Sequence, residues 1–149
     1  MAVFRAFKAL RPTQGKAAAI AALPYDVVNR EEAARIGKEN PDSFLHIDRA
    51  EMDLPADTEL YDHKVYEKAK ENLQNMEAKG MLVQDEKPCY YIYELVRKGK
   101  VQTGIAGCAS IDDYLNNVVK KHELTRSDKE LDRIHHVDVC DANTGPIYL

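Results

Sequence analysis

The sequence contains no apolar run approaching the roughly 18 residues that cross a bilayer, and its N-terminus lacks the apolar stretch of a signal peptide. Neither a membrane protein nor a secreted one is expected, and the cytoplasm is the expected address. Cysteine is scarce: Cys89, Cys108 and Cys140 stand at wide, unpatterned spacing. An odd number so placed argues against a disulfide framework and against a paired-cysteine zinc site, leaving free thiols. Surplus positive charge is missing too. A net charge of -4 speaks against a protein held to nucleic acid mainly by counterion release. The chain also lacks a Walker-type phosphate loop, a Rossmann glycine fingerprint and a serine-hydrolase elbow, so the commonest enzyme signatures are absent.

What is present suits a packed domain. At 149 residues, 44% apolar and 31% charged, the chain has the size and balance of a single folded domain. Its charge is unevenly spread: residues 1–38 hold Arg5, Lys8, Arg11, Lys16, Arg30, Arg35 and Lys38 against Asp26, Glu31 and Glu32, while the remainder is acidic.

Residues 3–7 alternate as a short strand would, and residues 11–15 break it with Pro12 and Gly15. Pro24 restricts Leu23 to extended geometry, which makes residues 23–28 a loop or strand edge. Asn29 with Glu32 three residues on predicts a capped helix start, and Pro41 cannot continue that helix. Residues 43–47 read as a strand and 48–57 as an acidic loop. From 58 to 79, Tyr66, Ala69, Leu73 and Met76 recur at spacings of three and four, an amphipathic helix that Gly80 should close in the left-handed region. Met81 to Val83 suits a short strand. Residues 89–96, the turn 97–100 and residues 101–111 form the best hairpin in the chain, with Gly104 and Gly107 marking a bulge or a close backbone approach. A further helix or turn starts near Asp112. A helix over 126–137, capped by Thr125 and Asp128, is expected to bury Leu131, Ile134 and Val137. The expected fold is therefore α/β or α+β: a mixed sheet with a central antiparallel hairpin at about 89–111, packed by three helices.

The densest chemistry lies between Lys120 and Asn143, with His122 and Glu123 just before a helix start, then Arg126, Lys129, Arg133, His135 and His136. A helix start beside cations can hold a phosphate, and a carboxylate there can take a proton or hold Mg²⁺. The same residues also fit a solvated face, since Glu123, Asp128, Glu130 and Asp132 nearly balance the nearby cations. His122, His135, His136 and Cys140 could ligate zinc, but no second ligand pair stands at a standard interval, so zinc is not expected. Tyr25 and Asp26 on the Pro24 loop could present a ring and a carboxylate to a substrate, or serve as core and turn cap. His46 could be a ligand contact or a satisfied strand histidine.

At these residues the chain resembles a known family. Residues 24–28 (Pro-Tyr-Asp-Val-Val), residues 40–46 (Asn-Pro-Asp-Ser-Phe-Leu-His), Lys121-His122-Glu123-x-Thr125, Asp132-Arg133 and Asn143-x-Gly145-Pro146-Ile147 look like the successive motifs of the prokaryotic domain of unknown function 1015 family, whose members often carry a SpoOJ/ParA/ParB/RepB label. The resemblance implies that the chain is the N-terminal part of a longer protein. It also implies, more distantly, kinship with ParB/sulfiredoxin-like folds that bind nucleotides. The sulfiredoxin signature and the ParB Gly-Glu-Arg-Arg signature are both missing, which disfavours sulfinic acid repair and chromosome partition.

Three functions are consistent with this reading. The first is a Mg²⁺-dependent phosphotransferase or nucleotidase that uses ATP or another nucleotide on a small polar substrate. In it Glu123 and His122 are catalytic, Lys121, Thr125, Arg126, Arg133 and Asn143 hold the nucleotide, and Tyr25, Asp26 and His46 contact the substrate. The second is a nucleotide-switched protein that associates with DNA or a partner, resting on the basic N-terminal residues. The third is a regulatory module without chemistry. An exposed sheet edge would favour a homodimer or aggregation.

Overall fold

In the structure, a computed structural model, residues 1–120 and 126–146 are described. The fold is mixed α+β, built of helices and small antiparallel strand pairs, with β2 (Leu10–Pro12), α1 (Ala17–Ile20) and β3 (Leu82–Gln84) among its shortest elements. The chain divides into two compact units: the described residues of Met1–Arg11, Gln84–Leu124 and Gly145–Leu149 form one, and those of Pro12–Val83 and Thr125–Thr144 the other.

The first unit carries the expected hairpin. Strands β4 (Tyr91–Arg97) and β5 (Lys100–Ala106) pair antiparallel from Tyr91 opposite Ala106 to Arg97 opposite Lys100. Lys98 and Gly99 both have positive φ, 50° and 75°, which is the backbone of a primed two-residue turn and matches the strand twist. Beyond it, β1 (Phe4–Arg5) pairs with β6 (Cys108–Ala109), and a short helix α5 (Ile111–Leu115) starts on a Ser110 cap. Gly107 is the close approach foreseen from the sequence: a Cβ there would meet the Phe4 ring at 2.6 Å. Gly104 has nothing so near, its closest neighbour being the Tyr93 carbonyl at 3.9 Å. Arg11 grips Asp85 through two bonds of 2.9 and 2.6 Å, and the Tyr91 hydroxyl donates to the same carboxylate at 2.6 Å. Those two bonds, Arg11's first, hold the Asp85 carboxyl down to about 2.

The second unit is helical. Helix α2 (Arg30–Glu39) opens on the expected capping box, Asn29 accepting from Glu32 N–H while the Glu32 carboxylate accepts from Asn29 N–H. Helix α4 (His63–Ala78) buries Tyr66, Ala69, Leu73 and Met76, each large side chain contributing about 2 kcal/mol of apolar burial. It starts later than residue 58 because Asp62 caps it through Lys64 N–H, and Gly80 follows it at φ 66°. The acidic segment before it is held by one side chain: Arg30 donates to the carbonyls of Glu51, Pro55 and Thr58.

Two expectations are overturned. Residues 43–47 are not a strand; Leu45–Asp48 is a single helical turn, α3, followed by a 3₁₀ turn over Ala50–Asp53. The misreading has a physical source. Ser43, Leu45 and Ile47 are buried and Phe44 and His46 only partly so, a period-two burial that comes from neighbours on several sides of one turn. Helix α6 (Ser127–Cys140) runs where expected but is rolled the other way. Leu131, Ile134 and Val137 are 55, 53 and 40% exposed, whereas Asp132, His136 and Cys140 are under 9%. Both stripes have helical spacing, so periodicity could not choose between them. The polar stripe is tolerated inside because Asp132 and His136 find hydrogen-bond partners there.

Candidate functional site

The inward stripe of α6 forms one wall of a small cavity of about 40 Å³ within the second unit. The Tyr25 loop, α3, the 3₁₀ turn and the start of α4 supply the rest. That volume holds a few water molecules or one small polar group, on the ~10–15 Å³ that a single water requires.

Its lining is unusually polar for an interior. The Tyr66 hydroxyl donates to Asp132 Oδ1 at 3.2 Å, and the Arg133 guanidinium donates to Asp132 Oδ2 at 3.0 and 2.8 Å. The same guanidinium lies 4.3 Å over the Tyr25 ring, a cation held on a π face. Arg49 pairs with Glu51 at 2.8 Å and donates to the Tyr25 carbonyl at 3.3 Å. His136 Nε2 lies 3.1 Å from the Ile47 carbonyl, and Thr144 donates to Asp48 at 2.9 Å. Lys129 adds a further cation to the lining.

Burial sets the titration of these groups. It lowers the His136 pKa and raises that of the Asp48 carboxyl, against the pull of Thr144, His136 and Arg133. Burial, with the neighbouring Asp132 charge, pushes Tyr66 up to about 12. Among the described residues, three buried polar atoms, Arg49 Nε, Glu51 Oε1 and His136 Nδ1, have no hydrogen-bond partner, and all three belong to side chains that line this cavity. Glu51 Oε1 does keep its ion pair with Arg49. Since a carbonyl can only accept, Nε2 of the neutral His136 ring carries the proton and Nδ1 presents a bare lone pair. A ligand completing this set would donate to His136 Nδ1 and accept from Arg49 Nε.

Of the residues expected from the sequence, Tyr25 and Arg133 come together here. The others do not. Asp26 and Asn143 are exposed, and Arg126 is paired with Asp128 at 2.8 Å outside the cavity. His46 is a structural tie: its Nδ1 meets the Asp53 carboxylate at 2.9 Å and its Nε2 faces the Gly37 carbonyl at 3.4 Å. Lys121, His122, Glu123 and Thr125, with the capping box assigned to Thr125, lie outside the described residues. Arg49, Glu51, Tyr66 and Asp132 went unread as site residues. Asp132 and His136, four apart, were the available signal, hidden by the apolar stripe beside them.

Among the described residues, no three of His, Cys, Asp and Glu converge as they would around a metal ion. The lining carboxylates are each committed, Asp132 to Tyr66 and Arg133, Glu51 to Arg49 and Asp48 to Thr144. The described residues of this cavity thus fit an anionic or hydrogen-bonding group better than Mg²⁺, which keeps most of its waters and takes carboxylate oxygens.

No curated protein and no solved structure matches the chain. A family model described as protein of unknown function (DUF1015) matches residues 4–149. The chain belongs to that family, the DUF1015 proteins.

Proposed function

We propose that this cavity binds the anionic group of a small molecule, and that the ligand is a nucleotide serving phosphoryl transfer to, or hydrolysis from, a small polar substrate. The observation that carries the reading is a pair of buried polar atoms with no hydrogen-bond partner among the described residues, the donor Arg49 Nε and the acceptor His136 Nδ1, on a cavity lined by Arg49, Lys129 and Arg133; a phosphate oxygen accepts from the first, and the hydroxyl of a water or substrate donates to the second. Buried polar groups cost about 1–3 kcal/mol each when unpaired, so their persistence on one cavity favours a ligand or ordered water that satisfies them. A tetrahedral phosphate group suits the volume; a base and sugar would lie outside it. Phosphoryl transfer asks a protein mainly for positioning and charge neutralisation; Lys129 brings a cation to the cavity, while Arg49 and Arg133 share their charge with Glu51 and Asp132. His136 Nδ1 is suited to accept the proton of an attacking water or hydroxyl. Glu123 and His122 stay assigned to catalysis, and Mg²⁺ to Glu123, on sequence grounds alone.

The related reading, a ParB-like nucleotide-switched protein on DNA, has less behind it. Of the seven cations in residues 1–38, Arg11, Lys16, Arg30 and Arg35 are already engaged within the protein.

A thermal-shift panel of ATP, ADP, CTP, GTP and inorganic phosphate, with and without Mg²⁺, tests the proposal. A ligand that binds the native state raises Tm by mass action. One nucleotide is expected to raise it, Arg133→Ala to weaken that binding about ten-fold, and Glu123→Ala to keep binding while losing turnover. No shift with any of the five ligands would sink the proposal.

A further inference from the structure

The β4–β5 hairpin is a ribbon of exposed apolar residues whose outer strand can be extended at its edge. Ile92, Val96, Val101 and Ile105 project from the same side, Ile92 directly opposite Ile105 and Val96 opposite Val101, and they are 71, 64, 59 and 66% exposed. Glu94 and Thr103 stand between the two pairs. Among the described residues the hairpin is a two-stranded sheet, and such a ribbon is marginal in water without a third strand or a covering surface. Because Arg97 and Lys100 close a two-residue turn, they form a hydrogen-bonded pair, and bonding alternates along the ladder. On β5, Val101, Thr103 and Ile105 therefore turn their backbone N–H and C=O groups to the outer edge.

We infer that this edge pairs with the β5 edge of a second copy of the chain, antiparallel about a two-fold axis at Thr103. In that register Val101 faces the partner's Ile105, and Ile105 faces the partner's Val101. The result is a four-stranded sheet crossed by two rows of four aliphatic side chains. Each row runs Ile92, Ile105, the partner's Val101 and the partner's Val96. Thr103 meets Thr103 of the partner on the axis, a favourable cross-strand pair. An isologous contact of this kind requires a segment that matches itself when reversed, and β5 does.

Charge selects the edge and the direction. The equivalent pairing through β4 would match Ile92 with the partner's Val96, but it would place Glu94 on the axis against its own copy. Like charges directly opposite destabilise a sheet. Through β5 the cations of the turn, Arg97, Lys98 and Lys100, go to opposite ends of the pair, whereas a parallel pairing would bring them together.

Sedimentation equilibrium of the chain across a concentration series tests the inference, with circular dichroism confirming that each variant is folded. A monomer–dimer equilibrium is expected. Thr103→Glu, at an exposed position, should weaken it about ten-fold or more by putting two carboxylates on the axis. Thr103→Cys should form a disulfide-linked dimer under mild oxidation, because paired strand residues lie about 5.5 Å apart, within disulfide reach. Glu94→Cys should cross-link no more than the unmodified chain does through exposed Cys89 and Cys108. A chain that stays monomeric throughout, a dimer indifferent to Thr103→Glu, or stronger cross-linking at 94 than at 103 would each overturn it. The test involves only residues of the first unit, so its failure leaves the phosphate-site proposal standing.

Discussion

His136 gives its ring proton to the backbone carbonyl of Ile47, across 3.1 Å, and is held neutral by burial. Both facts act on the same ring. Protonation would add a charge in a buried place, beside Arg133, which lowers the pKa further; the bond to the Ile47 carbonyl and the Asp48 and Asp132 carboxylates offset part of this.

The sign of the resulting pH dependence follows by linkage. With a folded pKa below the ordinary 6.5, the unfolded chain takes up this proton first as pH falls. The contribution of neutral His136 is therefore complete above about pH 6.5 and is lost progressively below it. Urea unfolding of the parent and of His136→Gln between pH 8 and pH 5 should show the parent losing more stability on acidification. Parallel curves would mean that the ring is not held neutral.

The His46 and Asp53 pair predicts the opposite limb. The bond to Asp53 raises His46, so its contribution is present below its unfolded value of 6.5 and is lost as pH rises through the folded one. Burial pushes Asp53 up, but the bond and charge of His46, with Asn72 and Lys68, leave it below 3.8; its share is present above that value and fades in acid. The pair contributes most between about pH 4 and pH 6.5. His46→Ala should cost about 1–2 kcal/mol at pH 6 and less at pH 8, since a bond to a charged group is lost only where the charge exists. An equal loss at both pH values would refute the assignment.

Gly107 and Gly80 separate two reasons for a glycine. Alanine at 107 would drive a methyl into the Phe4 ring at 2.6 Å and towards the Arg5 carbonyl at 3.0 Å, forcing β1 away from β6. Alanine at 80 meets nothing within 4 Å among the described residues but must hold φ at 66°. Overpacking costs about 1–3 kcal/mol and the left-handed penalty about 1 kcal/mol. Gly107→Ala should thus be the more damaging, with exchange protection lost first at the backbone of Phe4 to Arg5; equal effects would mean that the Phe4 ring moves aside freely.

Much of the fold could be read in advance because its signals are local. The Asn29 and Glu32 box, the Tyr66 to Met76 stripe, Gly80 and the Lys98-Gly99 turn each act within a few residues. The two errors share the opposite character. Whether residues 43–47 coil or extend, and which stripe of α6 faces inward, depends on partners far along the chain, such as Ile47 for His136 and Tyr66 for Asp132. The cavity is hard to foresee for the same reason: nothing in the spacing of Arg133 and Tyr25 announces that one lies over the other.

Arg30 gives the shape of residues 51–58 an owner outside that segment. Its guanidinium fork supplies donors to three carbonyls at 2.8 to 3.0 Å, and a lysine ammonium cannot span the same set. Moved into another protein without α2, those residues would carry their acidity but not their bend. Glu51 would no longer be presented to Arg49, and one wall of the cavity would be left behind with the helix that shapes it.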